Sequence, residues 1–423
     1  MKSINKSILQ ACIFHGWHKF SLGLLIPVLV LFQLERGLTL IQIGFNMALY
    51  SLTVILLEIP SGILADYVGH KKVFLFSLYI NSLAMLMLML TKQAVWISLS
   101  FILWGAGRAF SSGSLEAVFI NKVSSDGDNK SVEKLISNTE FAIPIGLALG
   151  ALLGGILPDL HVERILIIRL SDYYALNFFA ALILNLILAG FFNLLAPESI
   201  IKSNQSPMIH TRKKSKGIVA LALSTIKGSP VFFIIMLTSL SWGFAFSGLE
   251  TFWQPRVFHI LGGRGSTYIY GLLTNGYFLA GAIGSLLSWP ICRLLGNKPF
   301  IFLFSQRFVL GMMFIILSGI SGLTWFSIIY IGLFFFNGTS NPVEQSILNR
   351  EIPSESRATL LSVISFIMQT GGMTGALLGG IIAEARGIPF TWKTGAVILM
   401  ISSILYLLVL RKKKIVTGGS NEL

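Results

Sequence analysis

Apolar runs of about twenty residues, the length that carries a helix across a bilayer, follow one another along most of the chain between short polar breaks. The runs are continuous, whereas transmembrane barrel strands are about 10 residues long and alternate apolar with polar positions. The pattern therefore predicts twelve helices, at residues 11–32, 41–64, 73–91, 94–121, 138–158, 174–196, 229–252, 268–291, 299–319, 323–343, 359–383 and 391–410. The longest polar stretch, Pro197 to Pro230, falls between the sixth run and the seventh. It divides the chain into a six-helix half at 1–196, a basic linker at 197–228, and a second six-helix half with a short basic tail at 229–423. The expected fold class is an all-α polytopic membrane protein of two six-helix bundles.

The heptapeptide GALLGGI occurs at Gly150–Ile156 and again at Gly375–Ile381, in the fifth span of each half. Other registers agree with it. KLIS at Lys134–Ser137 corresponds to TLLS at Thr359–Ser362, 225 residues on, and Gly69-His-Lys71 corresponds to Gly296-Asn-Lys298, 227 on. Three matches at nearly one offset mark two repeats of like orientation, an arrangement found in transporters with a site near the bilayer midplane.

Composition narrows the class. Hydrophobic residues make up 54% of the chain and charged residues 12%, against roughly 25% charged in a soluble domain. The net charge of +14 could suggest nucleic acid. Its distribution says otherwise: with both termini inside, the segments assigned to the cytoplasm carry 21 of the 32 Lys and Arg, and those outside carry eight. That is the positive-inside pattern of membrane topology. The basic linker reads as a tether or as an element that binds anionic lipid. Cys12 and Cys292 both lie in or beside apolar runs and suggest neither a disulfide framework nor a metal site. Six scattered His, no GxxxxGK[ST] and no nucleophile–base pair argue against an enzyme, a metal or cofactor site, and ATP-driven pumping. The basic start, MKSINKSILQACIFHGWHKF, lacks a small-residue cleavage site and reads as the first helix.

Charges within the spans are the candidate chemistry. Arg108 sits mid-span, where insertion costs roughly 2.5–3.5 kcal/mol, so it is expected to face a wet cavity or an acidic partner. Glu116, eight residues on, is the candidate partner. Glu58 and His15 can exchange protons; Glu58 can equally pair with Lys19. His18 and Lys19 lie near enough to the cytoplasmic end to snorkel. In the second half, SWGFAFSGLETFWQP sets Glu250 among Trp242, Trp253 and Gln254. A carboxylate beside aromatics suits a cationic, amphipathic compound through cation–π contact of about 0.5–2 kcal/mol, while Trp253 also fits an interfacial belt. Trp242, Glu250, Asn275 and Gln369 form the expected substrate-binding set, and Arg307 is expected to be a structural partner near the second-half loop.

GILADYVGHKK, Gly62 to Lys72, follows the second span. It resembles the signature loop of the major facilitator superfamily, with Gly62, Asp66, Gly69, Lys71 and Lys72 in place and His70 where the family usually has a further basic residue. The resemblance implies two pseudo-symmetric bundles and a conformational latch in which Asp66 faces the positive end of helix eleven, near Arg357 to Thr359. Such a contact is worth about 0.3–1 kcal/mol when exposed and up to ~2 when partly buried. A plain basic turn would explain Lys71 and Lys72 alone. PIGLALGALLGG resembles the family's antiporter motif, with Gly146, Gly150, Gly154 and Gly155 fitting and Ala151 in place of proline. Close helix packing through small residues spaced by four is the alternative reading. The fourth span resembles the family's Arg-containing helix-four motif, which gives Arg108 a part in proton coupling beside Glu58, Glu116 and His15. The resemblance implies a monomeric, drug- or metabolite:proton antiporter-like exporter of small organic molecules, working by alternating access. It would be multi-pass in a bacterial cytoplasmic (inner) membrane, with protons, a small-molecule substrate and lipid as partners. An importer or siderophore exporter of the same fold, and a non-transporting receptor, stand as alternatives.

Overall fold

A computed structural model describes residues 2–126, 129–160, 173–197, 229–263, 265–351 and 357–418. Apart from Pro197, the linker expected at 197–228 lies outside the described residues. Every regular element among them is helical. In chain order these are α1 (Lys2–Gly23), α2 (Leu29–Glu35), α3 (Leu40–Val68), α4 (His70–Leu90), α5 (Ala94–Ser111), α6 (Ser114–Asp126) and α7 (Asn129–Ile156), which runs into a 3₁₀ turn at Leu157–Leu160. Then come α8 (Ala175–Leu195), α9 (Pro230–Ile260), α10 (Tyr268–Leu294), α11 (Pro299–Gly319), α12 (Leu323–Glu351), α13 (Arg357–Arg386) and α14 (Ile388–Gly418).

Among the described residues, eleven helices are long and apolar enough to cross a membrane. The first expected span is the exception, because Lys2, Lys6, His15, His18 and Lys19 make α1 more polar. It also breaks into α1 and α2 at a turn around Pro27, whose ring removes a backbone donor. The fourth expected span is interrupted as well. α5 stops at Ser111, whose hydroxyl donates to the Arg108 carbonyl at 2.9 Å, and Gly113 turns the chain at φ +70° before α6 begins. α3 starts on a reciprocal cap, with Gln42 N–H donating to Thr39 Oγ1 at 3.3 Å and Thr39 N–H to Gln42 Oε1 at 3.0 Å, which satisfies two otherwise orphaned donors.

The described residues fall into two compact units. The first is drawn from Met1–Thr211 and Leu261–Phe278, the second from Arg212–Ile260 and Leu279–Leu423, so that α10 is shared between them. Within the first, α1 packs on α7, α3 on α5 and α4 on α8; within the second, α9 packs on α13 and α11 on α14. Each unit has its own apolar core, built around Phe14, Phe74, Phe119 and Phe192 in one and Phe232, Leu303, Val343 and Tyr406 in the other. Leu56, Leu90, Leu194, Leu286 and Ile401 lie exposed on the outside, as apolar side chains do where acyl chains rather than water cover them.

The repeated heptapeptide lies in a close helix–helix seam of each unit. A Cβ on Gly146, Gly150 or Gly154 of α7 would overlap the carbonyl oxygen of Gly16, Phe20 or Leu24. A Cβ on Gly371 or Gly375 of α13 would do the same against Leu240 or Phe244 of α9. Small residues every four positions lie on one helix face, and this lets two backbones touch where lipid gives no hydrophobic drive for association. Each seam is pinned at the same place by the last span of its half. Asn177 Nδ2 on α8 donates to the carbonyls of Leu24 at 2.8 Å and Gly154 at 2.7 Å. In the second unit Trp392 Nε1 donates to Gly248 at 3.3 Å and Thr391 Oγ1 to Gly379 at 3.2 Å.

Candidate functional site

Within the first unit, α1, α3, α4, α5 and α8 surround an open cleft. Lys19 and His18 enter it from α1, Tyr50 from α3, Asn81 from α4, Arg108 from α5 and Asn185 from α8. Trp104 sets its ring edge-on to Tyr50, with centroids 5.4 Å apart. Ser21 donates to Asn185 Oδ1 at 3.1 Å and so fixes that amide. No acidic side chain is among the described residues that line the cleft.

Arg108 is exposed into this space, within electrostatic reach of the Tyr50 phenol. The expected pairing with Glu116 is replaced, because the break at Ser112–Gly113 puts that carboxylate on a separate helix, α6. Glu116 instead stands in electrostatic reach of Glu140 on α7. Lys19 has Arg108 and Glu140 in reach, so its carboxylate comes from α7, on which α1 packs, and not from Glu58. Glu58 is half-buried on α3, where its backbone carbonyl accepts from Ser61 Oγ at 2.9 Å. His15 lies one turn before Lys19 and is buried, its Nε2 without a hydrogen-bond partner. The four expected proton-coupling residues are thus not one cluster: only Arg108 faces the cleft.

The expected substrate set is divided too. Asn275 belongs to the first unit, where its Nδ2 donates to the Ala148 carbonyl at 3.1 Å, holding α10 to α7. Trp242, Glu250 and Gln369 belong to the second. Glu250 is exposed and Gln369 half-buried. Trp253 is fully buried against Tyr330, centroids 5.2 Å apart, so it is a core residue and not part of an interfacial belt.

Trp242 stacks on Phe246 at 4.9 Å and donates from Nε1 to Asn337 Oδ1 at 2.7 Å. It also lies 6.0 Å from the Arg307 guanidinium. Arg307 itself is buried on α11, well away from any loop, and pairs through Nη2 with Glu344 Oε1 at 2.8 Å. The Tyr406 phenol lies 2.8 Å from the same oxygen and 2.9 Å from Thr238 Oγ1. Glu344, Asn337 and Tyr406 were not among the expected residues. Their signal in the sequence is weak: Asn337 and Glu344 share the polar stretch NGTSNPVEQS with many other candidates, and Tyr406 is one aromatic in an apolar run.

In the signature loop, Gly69 ends α3 and opens α4 at φ +105°, a backbone conformation that side chains with a Cβ rarely adopt. Asp66 is exposed, with His70 Nε2 3.6 Å from its Oδ1. Gly62 has open space around it. Lys71 and Lys72 differ: Lys72 is exposed, while Lys71 is buried and its Nζ donates to the Ala196 carbonyl at the end of α8, 3.0 Å away. A second unexpected acid lies at the opposite end of α7. Asp159 accepts from the backbone N–H groups of Thr267 and Tyr268, each at 3.2 Å, and so caps the start of α10, where unpaired donors and the helix dipole favour an anion. Beside it, Gly155 packs directly on Gly271.

The Major Facilitator Superfamily sequence profile matches residues 18–269 and 258–422. Over 403 residues the chain is 22% identical to the "Uncharacterized MFS-type transporter YxaM" of Bacillus subtilis (strain 168), covering 94% of both. A bacterial homolog of the human lysosomal transporter Spinster superposes with a TM-score of 0.75 at 16% identity, over 96% of this chain and 97% of that one. The nucleoside transporter NupG gives 0.74 at 12% identity, over 96% and 99%. Identities this low speak to the fold, which these structures share with the two helical bundles described above. The family profile covers nearly the whole chain, and the protein belongs to the Major Facilitator Superfamily of membrane transporters.

Proposed function

We propose that the protein is a proton-coupled secondary transporter that exports small organic molecules by alternating access. The observation that carries this reading is the cleft of the first unit, where Lys19, His18 and Arg108 converge from membrane-spanning helices. Charged groups at that depth are costly and are kept where a substrate or a proton passes. Outward direction rests on the likeness of the α7 glycines to the antiporter motif. In this reading 1–196 and 229–423 are the two moving bundles and 197–228 tethers them. Asp66 then biases the equilibrium between access states, and a monomer sits in a bacterial inner membrane with both ends in the cytoplasm. An inward proton gains about 2.3 kcal/mol per 100 mV, enough for roughly fiftyfold accumulation of a neutral solute exchanged for one proton.

Import is the second reading, since this fold serves transporters of varied substrates, among them a nucleoside transporter and proton-dependent oligopeptide transporters, and sets no direction by itself. Membrane vesicles of known orientation separate the two. An exporter loads inside-out vesicles when a proton gradient is imposed, and loading confined to right-side-out vesicles would reverse the proposed direction. A protein that moves no solute in either orientation, while holding a ligand, would be a receptor.

A further inference from the structure

The cleft of the first unit has a property that the transport reading leaves unused: Lys19 and Arg108 face it, and its described lining includes no acid. Lys19 and Arg108 each bring a full positive charge and lie in electrostatic reach of one another. Ser21 occupies the oxygen of the Asn185 amide, which leaves the amide N–H groups as its open end. The Tyr50 phenol, in electrostatic reach of Arg108, carries a hydroxyl that can donate. Ammonium and guanidinium groups cannot accept at all. Two like charges facing one cleft repel; Glu140 on α7 lies in electrostatic reach of Lys19, while the Arg108 guanidinium keeps donors facing the cleft for an anionic acceptor. The lining also includes Leu22, Leu25, Met85 and Trp104, apolar surface suited to a carbon skeleton.

We infer that this cleft binds a small organic anion, its carboxylate or phosphate oxygens held between Lys19 and Arg108 and its apolar body against Trp104. The inference rests on the transport reading for its purpose, since it names the substrate class of that site. It runs opposite in sign to the cationic compound that Glu250 suggested. Arg108 would touch substrate directly, with Tyr50 as the positioning residue beside the guanidinium, and the Asn185 amide would take a further oxygen.

The test uses the purified full-length protein and does not depend on transport. Thermal unfolding is followed against aliphatic and aromatic carboxylates, each paired with its neutral amide and its amine, and against the corresponding phosphate esters. Acids of the right size should stabilise the protein with affinities roughly ten- to a hundredfold tighter than their amides, the range expected of a charge-assisted hydrogen bond. Amines should have no effect. Phosphate esters binding more tightly than acids would assign the anion as phosphate. Lys19→Gln and Arg108→Gln should each abolish the difference between acid and amide, and Tyr50→Phe should weaken it. The comparison of acid with amide on the unaltered protein holds even if a variant fails to fold. Amides or amines binding as well as the acids, or no acid stabilising the protein, would overturn the inference. Counterflow in proteoliposomes then separates the two claims. Acids that bind but are never carried would leave the anion site standing and sink the transport reading; neutral or cationic solutes carried while acids fail to bind would do the reverse.

Discussion

The two units are built on the same seam and treat buried charge in opposite ways. In the second, Arg307 is enclosed, with Glu344 2.8 Å away and the Tyr406 phenol on the same carboxylate oxygen. In the first, Lys19 and Arg108 face a cleft whose described lining includes no acid. A buried cation whose counterion is supplied by its own bundle has no need of a ligand and acts as a structural post. Lys19 has Glu140 in electrostatic reach, whereas Arg108 faces open space with no acid in the described lining and is unfinished until something else arrives. The comparison separates a cation that holds a bundle together from one that serves it, although both are single basic residues in apolar runs.

The largest effect should come from breaking the closed network. Glu344→Ala strands the Arg307 charge, 2% exposed, and should cost about 3–5 kcal/mol of stability, with most of it recovered by the double change Arg307→Met, Glu344→Leu. Melting of the purified variants measures both, and a single variant as stable as the parent would show the network is not closed. Next come the seams. Gly150→Ala and Gly375→Ala each drive a methyl into a carbonyl of the facing helix and should each lose about 1–3 kcal/mol. Gly62→Ala, with open space around it, should be neutral or gain up to about 1 kcal/mol. Unequal losses at Gly150 and Gly375 would mean that the seams are alike in shape but not in strength. In the signature loop, Lys71→Met removes a buried charge-assisted bond to Ala196 and should cost roughly 1.5–3 kcal/mol, against nearly nothing for Lys72→Met. The smallest change in stability is expected at the cleft. Arg108→Gln should melt within about 0.5 kcal/mol of the parent and yet lose coupled transport in vesicles; full transport would remove Arg108 from the mechanism.

Much of the architecture could be read from the chain, and the reason is physical. In a bilayer every spanning segment must satisfy its own backbone, so hydropathy and charge asymmetry mark the spans directly. The GALLGGI repeat marked the seam, because only close backbone contact demands glycine at that spacing. The site was less legible. Arg108 stood out as a charge in an apolar run, but its partner did not, since Gly113 breaks the helix that the Arg108–Glu116 spacing had assumed to be continuous. Lys19 found Glu140 across a packing interface that only the folded bundle creates. Asn81, Tyr50 and Asn185 are unremarkable residues in their own helices and acquire meaning from sharing a cleft. Lys71 read as a topological charge because its neighbour in sequence, Lys72, is one; the difference between them is a carbonyl at the end of α8, 125 residues away.

The α1–α7 seam also sets a schedule for biogenesis. Its two faces are separated by three intervening spans, so it cannot close until α7 has left the ribosome and entered the membrane. Through that interval α1, with His15, His18 and Lys19 along its length, has no glycine face to dock on and must be sheltered by the insertion machinery or by the spans that follow it. The same wait recurs for α9 until α13 emerges, but α9 carries no basic residue before Arg256 and can rest in lipid meanwhile. A nascent chain stalled before α7 should therefore be far more exposed to quality-control proteolysis than one stalled at the matching point before α13.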